Sequence, residues 1–140
     1  MLQGCQINHT ISIDAVHTFF KSDFKSDYVF GGERHSFWEI VFVLGGTVGV
    51  TAGDEVFVLE KGQAVIHKPD EFHKIWSEFG TNPTVIVLSF GASAFPFGER
   101  ILSLDATCGA KLSELYDYSF SCFERSGIAI TGIKHGSEAK

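Results

Sequence analysis

One histidine and two carboxylates lie close together in the segment ERHSFWE, which runs from Glu33 to Glu39. Histidine nitrogens and carboxylate oxygens are ligands for Zn, Mn, Fe(II) or Ni, and they also form hydrogen bonds with small polar molecules. If the segment is a strand, residues 33, 35, 37 and 39 share one face because successive side chains alternate. Glu33, His35 and Glu39 would then converge, with Phe37 beside them.

Glu39 lies inside the apolar run from Phe37 to Leu44, where an unpaired carboxylate is costly to bury. His35, His73, a metal ion or water could supply its partner, so a polar environment is predicted around Glu39. Three interpretations stay open. The cluster is a metal site, a structural group of histidines hydrogen-bonded to Glu39, or the polar end of a small-molecule pocket with an apolar wall.

Short strands separated by turns must position these residues. Alternating or apolar runs predict strands at residues 6–13, 15–20, 37–44, 47–51, 56–59, 63–67, 72–79 and 84–90. The turn AGDE makes residues 47–59 a β-hairpin. Strands that recur about every ten residues between turn signals predict an all-β sandwich or barrel.

The C-terminal part has a different periodicity. From Asp105 to Arg125, apolar residues recur at steps of three and four, which predicts one amphipathic helix that ends at Ser126 and Gly127. Such a helix covers either the outer wall of the barrel or the same helix of a partner subunit. The residues that follow it begin with a possible short strand, IAITG.

Composition limits the classes of function. With 140 residues and 44% hydrophobic residues, the chain can bury one core, so one compact unit is expected. The 11 Lys and Arg residues are scattered and the net charge is -6, which argues against direct binding to nucleic acid. The sequence has no long apolar segment of the kind that directs export or membrane insertion, so we expect a cytoplasmic protein.

Two segments, ERHSFWEIVFVLGG and EKGQAVIHKPDEFHKI, carry a resemblance to a known family. Their order resembles the cupin superfamily and, more narrowly, the N-terminal ligand-sensing domain of AraC-type transcription regulators. The resemblance implies a double-stranded β-helix of jelly-roll type over residues 1–100, followed by a C-terminal helix and tail over residues 101–140. It also implies that His73 reaches the cluster from a neighbouring strand and that the helix pairs two subunits.

The sequence departs from the cupin pattern at specific positions. Glu33 stands where the first histidine of the first motif is expected, whereas His35 and Glu39 hold their places. In the second motif, Lys68 stands at the proline position and Asp70 at the glycine position. The resemblance therefore implies a metal set of Glu33, His35, Glu39 and His73 with one histidine replaced, in a superfamily whose sensor members often hold no metal.

The sequence leads to a ranked set of functions. The predicted ligand-binding residues are His35, Phe37, Glu39, Val41, His73 and Ile75. The first hypothesis is a homodimeric cupin that senses a sugar or similar polar metabolite, a stand-alone counterpart of a regulator's sensor domain without the helix-turn-helix, and not an enzyme. The second is a metal-dependent cupin enzyme of isomerase or dioxygenase type, and the third is an interaction module.

Three further aromatic residues are placed away from this pocket. His67 is predicted to lie on the surface because Pro69 can disturb the strand register. Trp38 and Trp76 alternate with Glu39 and His73 along their strands, so they are predicted to face the outer wall or to lie between the sheets.

Overall fold

The structure is a computed structural model that describes residues 2–5 and 10–138. Its elements, in chain order, are β1 (Ser12–Asp23), β2 (Val29–Glu33), β3 (Trp38–Gly45), β4 (Thr47–Ala52), β5 (Glu55–Glu60), β6 (Gln63–His67), β7 (His73–Ser77), β8 (Thr84–Ala94), β9 (Ile101–Ser103), α1 (Ala106–Cys122), β10 (Phe123–Ser126) and β11 (Ala129–Ile133). The predicted all-β fold with one C-terminal helix is confirmed.

Two antiparallel sheets form the body of the protein. The larger has the strand order β10-β11-β1-β8-β3-β6-β9, and the smaller has the order β2-β7-β4-β5. Strands that are neighbours in space are often distant in sequence, as in a jelly roll: β3 lies between β6 and β8. β9, β10 and β11, which follow residue 100, are hydrogen-bonded into the same sheet as the strands before them.

Valine side chains fill the space between the sheets. The main buried cluster is Phe24, Val41, Val43, Val48, Val50, Leu59, Val65, Val85 and Val87. Branched side chains suit this position because they pack well against the pleated surface of a strand. A second cluster, on the other face of the large sheet, contains Ile40, Ala64, Ile66 and Phe90, and Trp38 packs against it.

The predicted hairpin is formed by β4 and β5. Ala52 pairs with Glu55, so the turn consists of Gly53 and Asp54. Gly53 has a φ of 61°, which glycine adopts without the steric cost that a side chain would add.

The helix α1 is fixed to β1 by side-chain contacts. The Asp105 carboxylate accepts a hydrogen bond from the backbone N–H of Cys108 and caps the helix. The Tyr116 ring packs edge-on against Phe19, with 5.2 Å between the ring centroids. Arg125, in β10, donates to the Phe19 carbonyl and to Ser119, so helix and hairpin are held to the same strand.

Several element boundaries differ from the predictions. The first predicted strand is only partly described, since residues 6–9 lie outside the described residues, and β1 begins at Ser12 and continues through the polar residues to Asp23. The predicted helix is too long at its end, because Phe123 has the extended values φ -115° and ψ 142° and begins β10.

The short strands β2, β9 and β10 were not predicted. Within the described residues, no helix combines the length and the apolar character needed to cross a membrane.

Candidate functional site

The two glutamates of the ERHSFWE segment come from different sheets, which corrects the expectation of one continuous strand. β2 ends at Glu33 and β3 begins at Trp38, and residues 34–37 between them are not in a strand. Alternation therefore does not place residues 33, 35 and 37 on one face. Glu33 instead pairs with His73 across β2 and β7 in the small sheet, while Glu39 lies in the large sheet.

The four predicted metal-ligating side chains nevertheless meet between the sheets. The ligand atoms of Glu33, His35, Glu39 and His73 all lie within 4.8 Å of one another. His73 Nε2 is 3.1 Å from Glu33 Oε1 and 3.1 Å from Glu39 Oε2. His35 Nε2 is 3.5 Å from Glu33 Oε1 and 3.6 Å from Glu39 Oε1.

Backbone carbonyl groups orient both imidazole rings of this cluster. His35 Nδ1 donates to the Phe37 carbonyl at 3.0 Å, and His73 Nδ1 donates to the Glu71 carbonyl at 3.1 Å. Both rings therefore direct Nε2 at the carboxylates. This is the arrangement in which histidines ligate a metal, since the second nitrogen is held by a carbonyl or carboxylate. The donor set fits a divalent ion.

A loop salt bridge fixes the carbonyl that holds His73. Arg100 donates to both carboxylate oxygens of Glu71, at 2.5 and 2.8 Å, and to the Ile66 carbonyl at 2.9 Å. The bidentate contact fixes the planar geometry of the pair. Arg100 thereby ties the segment before β7 to the end of β6.

Opposing influences set the protonation of His73. Burial acts to lower its pKa, but the hydrogen bond and charge of Glu39, the Glu71 carbonyl and Glu33 together outweigh burial and raise the pKa to about 8. The His73 side chain is only 4% exposed, so solvent screens these contacts little. Without a metal, His73 is therefore an imidazolium ion between two carboxylates at neutral pH.

His67 lies next to this cluster, which corrects its predicted surface position. It is 1% exposed, it pairs with Glu39 across β6 and β3, and its ring stacks on His73 at 4.3 Å. Burial, followed by the nearby charges of His73 and Arg100, lowers its pKa to about 3. The alternation of Val65 and His67 in QAVIH was the sequence signal for this inward orientation, because Pro69 does not disturb the β6 register.

The paired strands place a polar row beside an apolar row. The polar row consists of successive partners across β6, β3, β8 and β1, namely His67, Glu39, Ser89 and Thr18. Two residues further along each strand, the partners are Val65, Val41, Val87 and Phe20. Because positions two apart share a face, both rows point between the sheets.

A cavity of about 310 Å³ lies against these rows. Its polar lining residues are Ser22, Glu33, Glu39, His67, His73 and Lys74. Its apolar lining residues are Phe20, Phe24, Tyr28, Phe30, Val41, Ile75, Val87 and Ile128. Such a combination of an apolar wall and a few convergent polar groups is the usual form of a small-molecule site.

The predicted ligand-binding residues divide into two groups. Glu39, Val41, His73 and Ile75 line the cavity, whereas His35 and Phe37 do not. Phe37 stacks on the His35 ring, with 3.9 Å between centroids, so it supports His35 from behind. The physical reason is the break in the strand, which places Phe37 in the connecting segment.

Neither tryptophan lines the cavity. Trp38 contacts Phe95 on the outer face of the large sheet, with 4.8 Å between their ring centroids. Trp76 lies over Gly49 on the small sheet and donates a hydrogen bond to Glu78.

Comparison with known families agrees with this geometry. The sequence model of the family "AraC-like ligand binding domain" matches residues 21–124, so the chain belongs to this family. No curated protein sequence matches the chain.

Several solved structures share the fold at low sequence identity. The cupin domain of Schizosaccharomyces pombe Cnp3 is 9% identical, with a TM-score of 0.52 over 58% of this chain and 61% of that one. AerE from Microcystis aeruginosa is 15% identical, with a TM-score of 0.59 over 72% of this chain and 51% of that one.

A predicted oxalate decarboxylase from Thermotoga maritima is 16% identical, with a TM-score of 0.50 over 51% of this chain and 64% of that one. This chain thus spans less than two thirds of the length of each of these three proteins. At such identities the similarity shows the fold alone, and it confirms the predicted cupin barrel.

Proposed function

We propose that this domain binds a small polar metabolite, a sugar or a similar compound, inside the β-barrel. The observation that carries the proposal is the cavity itself, in which Glu39, His67 and His73 form a polar end against a wall of valine and aromatic residues. Membership of a family of ligand-binding domains supports it.

The size and chemistry of the cavity fit such a ligand. Its 310 Å³ corresponds to roughly ten water molecules at about 30 Å³ each. A ligand that displaces this water gains from the burial of its apolar parts against the wall. Its polar groups can reach Glu39 and His73, which fix its orientation.

A thermal-shift experiment with a blocked variant tests this proposal. A sugar present at 100 times its Kd adds about 2.7 kcal/mol to the stability of the native state, which raises the Tm by about 8 °C. Val87→Phe should narrow the cavity and reduce the shift. Val58→Phe, on the exposed face of β5, is the matched control and should retain it. The compounds to screen are a panel of sugars and similar polar metabolites. An equal Tm shift in Val87→Phe and the wild type, or no Tm shift of the wild type with any compound of the panel, contradicts the proposal.

A metal-dependent enzyme is the second candidate, and the orientation of two imidazoles favours it. Glu33, His35, Glu39 and His73 would hold the ion, with His35 and His73 already fixed through Nδ1. A bound divalent ion would supply a Lewis acid that polarises a substrate oxygen. The protein's own residues would exclude bulk water and orient the substrate against the apolar wall.

Metal content separates this candidate from simple ligand binding. Protein purified without an affinity tag should hold close to one equivalent of metal, and Glu39→Gln should hold much less. Added Zn²⁺ or Ni²⁺ should raise the Tm of the wild type more than that of Glu39→Gln. Less than about a tenth of an equivalent, with no Tm response to either ion, excludes the metalloenzyme.

We also infer a homodimer formed through α1 and a role as the sensor in transcription regulation. The outer face of the helix exposes Leu115 and Tyr118, which lie three residues apart and are 55% and 50% exposed. Residues at this spacing form one stripe that can pair with a second helix. Leu115→Asp with Tyr118→Asp should give a monomer by light scattering, whereas Asp117→Lys, at an exposed position away from this stripe, should leave a dimer. A wild-type monomer at micromolar concentration contradicts this inference.

A further inference from the structure

Strand β5 is a free edge of the smaller sheet. That sheet has the order β2-β7-β4-β5, and among the residues that the structure describes β5 pairs with β4 alone. Edge strands are commonly protected by an internal lysine, a proline or a bulge, because their unpaired backbone groups can accept another strand. β5, with the sequence EVFVLE and an unbroken register, carries charged residues only at its two ends.

The hairpin register shows which backbone groups of β5 point outwards. The pair that closes the two-residue turn exchanges hydrogen bonds, and every second pair beyond it does the same. The backbone N–H and C=O groups of Val56 and Val58 therefore point away from β4. The same alternation holds for Glu60, whose N–H donates to Gln63 Oε1 at 3.0 Å and not to β4.

Val56 and Val58 also present apolar side chains to solvent. They are 65% and 51% exposed, whereas Phe57 between them packs against the core. The apolar surface continues across the sheet, because Val58 pairs with Gly49 and the Trp76 indole covers Gly49. A strand added at this edge would therefore bury both valines beside an apolar surface.

Acidic residues flank the two valines. Asp54 and Glu55 precede them, Glu60 follows them, and all three are exposed. With Lys61, three carboxylates and one ammonium group give residues 54–61 a net charge of -2.

This charge disfavours a second copy of the chain at the same edge. The outward-pointing groups can pair in an antiparallel register that places Val56 of one copy opposite Val58 of the other. That register also places Asp54 opposite Glu60 at both ends of the pairing. Like charges directly opposite each other destabilise a sheet.

We propose that the β5 edge binds an extended segment of another protein, in which apolar and polar residues alternate between basic residues. The backbone of this segment pairs with Val56 and Val58, as in other cases of strand addition to a sheet edge. Its lysine or arginine side chains reach the carboxylates at the two ends of β5. No residue of β5 is among the described residues that line the cavity, so this inference is independent of the proposed function.

A short synthetic peptide in which valine and threonine alternate between two terminal lysines is the probe. Calorimetry at low salt should show that the wild type binds it about tenfold more tightly than the same peptide with terminal glutamates, since two ion pairs replace two repulsions. Glu55→Lys with Glu60→Lys should reverse this preference.

A proline substitution tests the backbone pairing. Val58→Pro removes an N–H group that points away from β4, where a sheet edge tolerates proline. It should weaken binding of the lysine peptide about tenfold, whereas Val58→Ile, which keeps the N–H group, should retain wild-type binding.

Amide hydrogen exchange gives a measurement on the unaltered protein. The amides of Val56 and Val58 should exchange faster than that of Phe57, and the lysine peptide should slow them. No binding of this peptide, equal binding of both peptides, or unchanged exchange at the two valines contradicts the proposal. A wild-type dimer that Val58→Pro converts to a monomer also overturns it, because the edge then pairs with a second copy.

Discussion

The free energy of unfolding of the metal-free protein should be highest near pH 6.5, because two buried histidines titrate in opposite directions. The His73 pKa is raised to about 8. Its stabilisation is therefore fully present below its unfolded pKa of about 6.5 and is lost as the pH rises through 8. At about 1.36 kcal/mol per pKa unit, it amounts to about 2 kcal/mol.

His67 gives the acid side of this profile. The pKa of His67 is lowered to about 3 in the folded protein. Below pH 6.5 the His67 side chain therefore binds a proton in the unfolded chain but stays neutral in the folded protein. Stability is lost as the pH falls below 6.5, and the loss reaches about 2 kcal/mol at about pH 5. Both rings are buried, with His67 1% and His73 3% exposed, so solvent screening does not reduce these figures greatly.

The two contributions combine into a shallow maximum. Near pH 5 they cancel, near pH 9 both vanish, and near pH 6.5 their sum is about 1 kcal/mol in favour of the folded state. His67→Phe removes the loss of stability below pH 6.5. In this variant the stability that the His73 contact adds should therefore rise continuously from pH 9 to pH 5. Relative to the variant, the wild type should lose about 2 kcal/mol between pH 8 and pH 5.

Urea unfolding in EDTA at several pH values measures these quantities, provided that the m-value stays constant. His135→Gln removes an exposed histidine and controls for the change in histidine count. Parallel profiles of the wild type and His67→Phe between pH 5 and pH 8 would refute the burial of a neutral His67.

Two further substitutions test how the site is supported. Gly49→Ala should destabilise the protein by about 2 kcal/mol or more in urea unfolding. The Trp76 indole occupies the space that a Cβ at Gly49 would need, and a packed core resists overfilling. Gly4→Ala is the control, because nothing lies within 4 Å of the added carbon. Arg100→Met should cost about 2 kcal/mol by leaving the Glu71 carboxylate, which is only partly exposed, without its partner. NMR should show a displaced His73 Nδ1 signal, and an unchanged signal contradicts a positioning role.

The regular strands and the helix were predictable because their patterns are local. The Gly-Asp turn of the β4–β5 hairpin and the short apolar run of β6 report directly on backbone geometry. The helix start was also predictable, since the Asp105 side chain caps it. β2 was missed because its sequence VFGGE contains two glycines and its side chains alternate between exposed and half-buried positions.

The composition of the site could be predicted from the sequence, but its construction could not. Glu33, His35, Glu39 and His73 meet, although the assumed continuous strand does not exist. Glu33 reaches the cluster because β2 pairs with β7, and this pairing of strands 40 residues apart leaves no local signal. His67 was missed because Pro69, two residues later, was expected to disturb the strand, whereas β6 continues regularly through His67 and pairs it with Glu39.

The C-terminal hairpin completes the cavity wall late in the chain. Every lining residue except Ile128 occurs by Val87, so a ribosome adds 41 residues between the last wall strand and the tip of the hairpin. At about 5 to 20 residues per second, this interval lasts roughly 2 to 8 seconds. The nascent chain therefore has the rest of the cavity wall before the hairpin adds Ile128, which remains 57% exposed after the hairpin docks on β1.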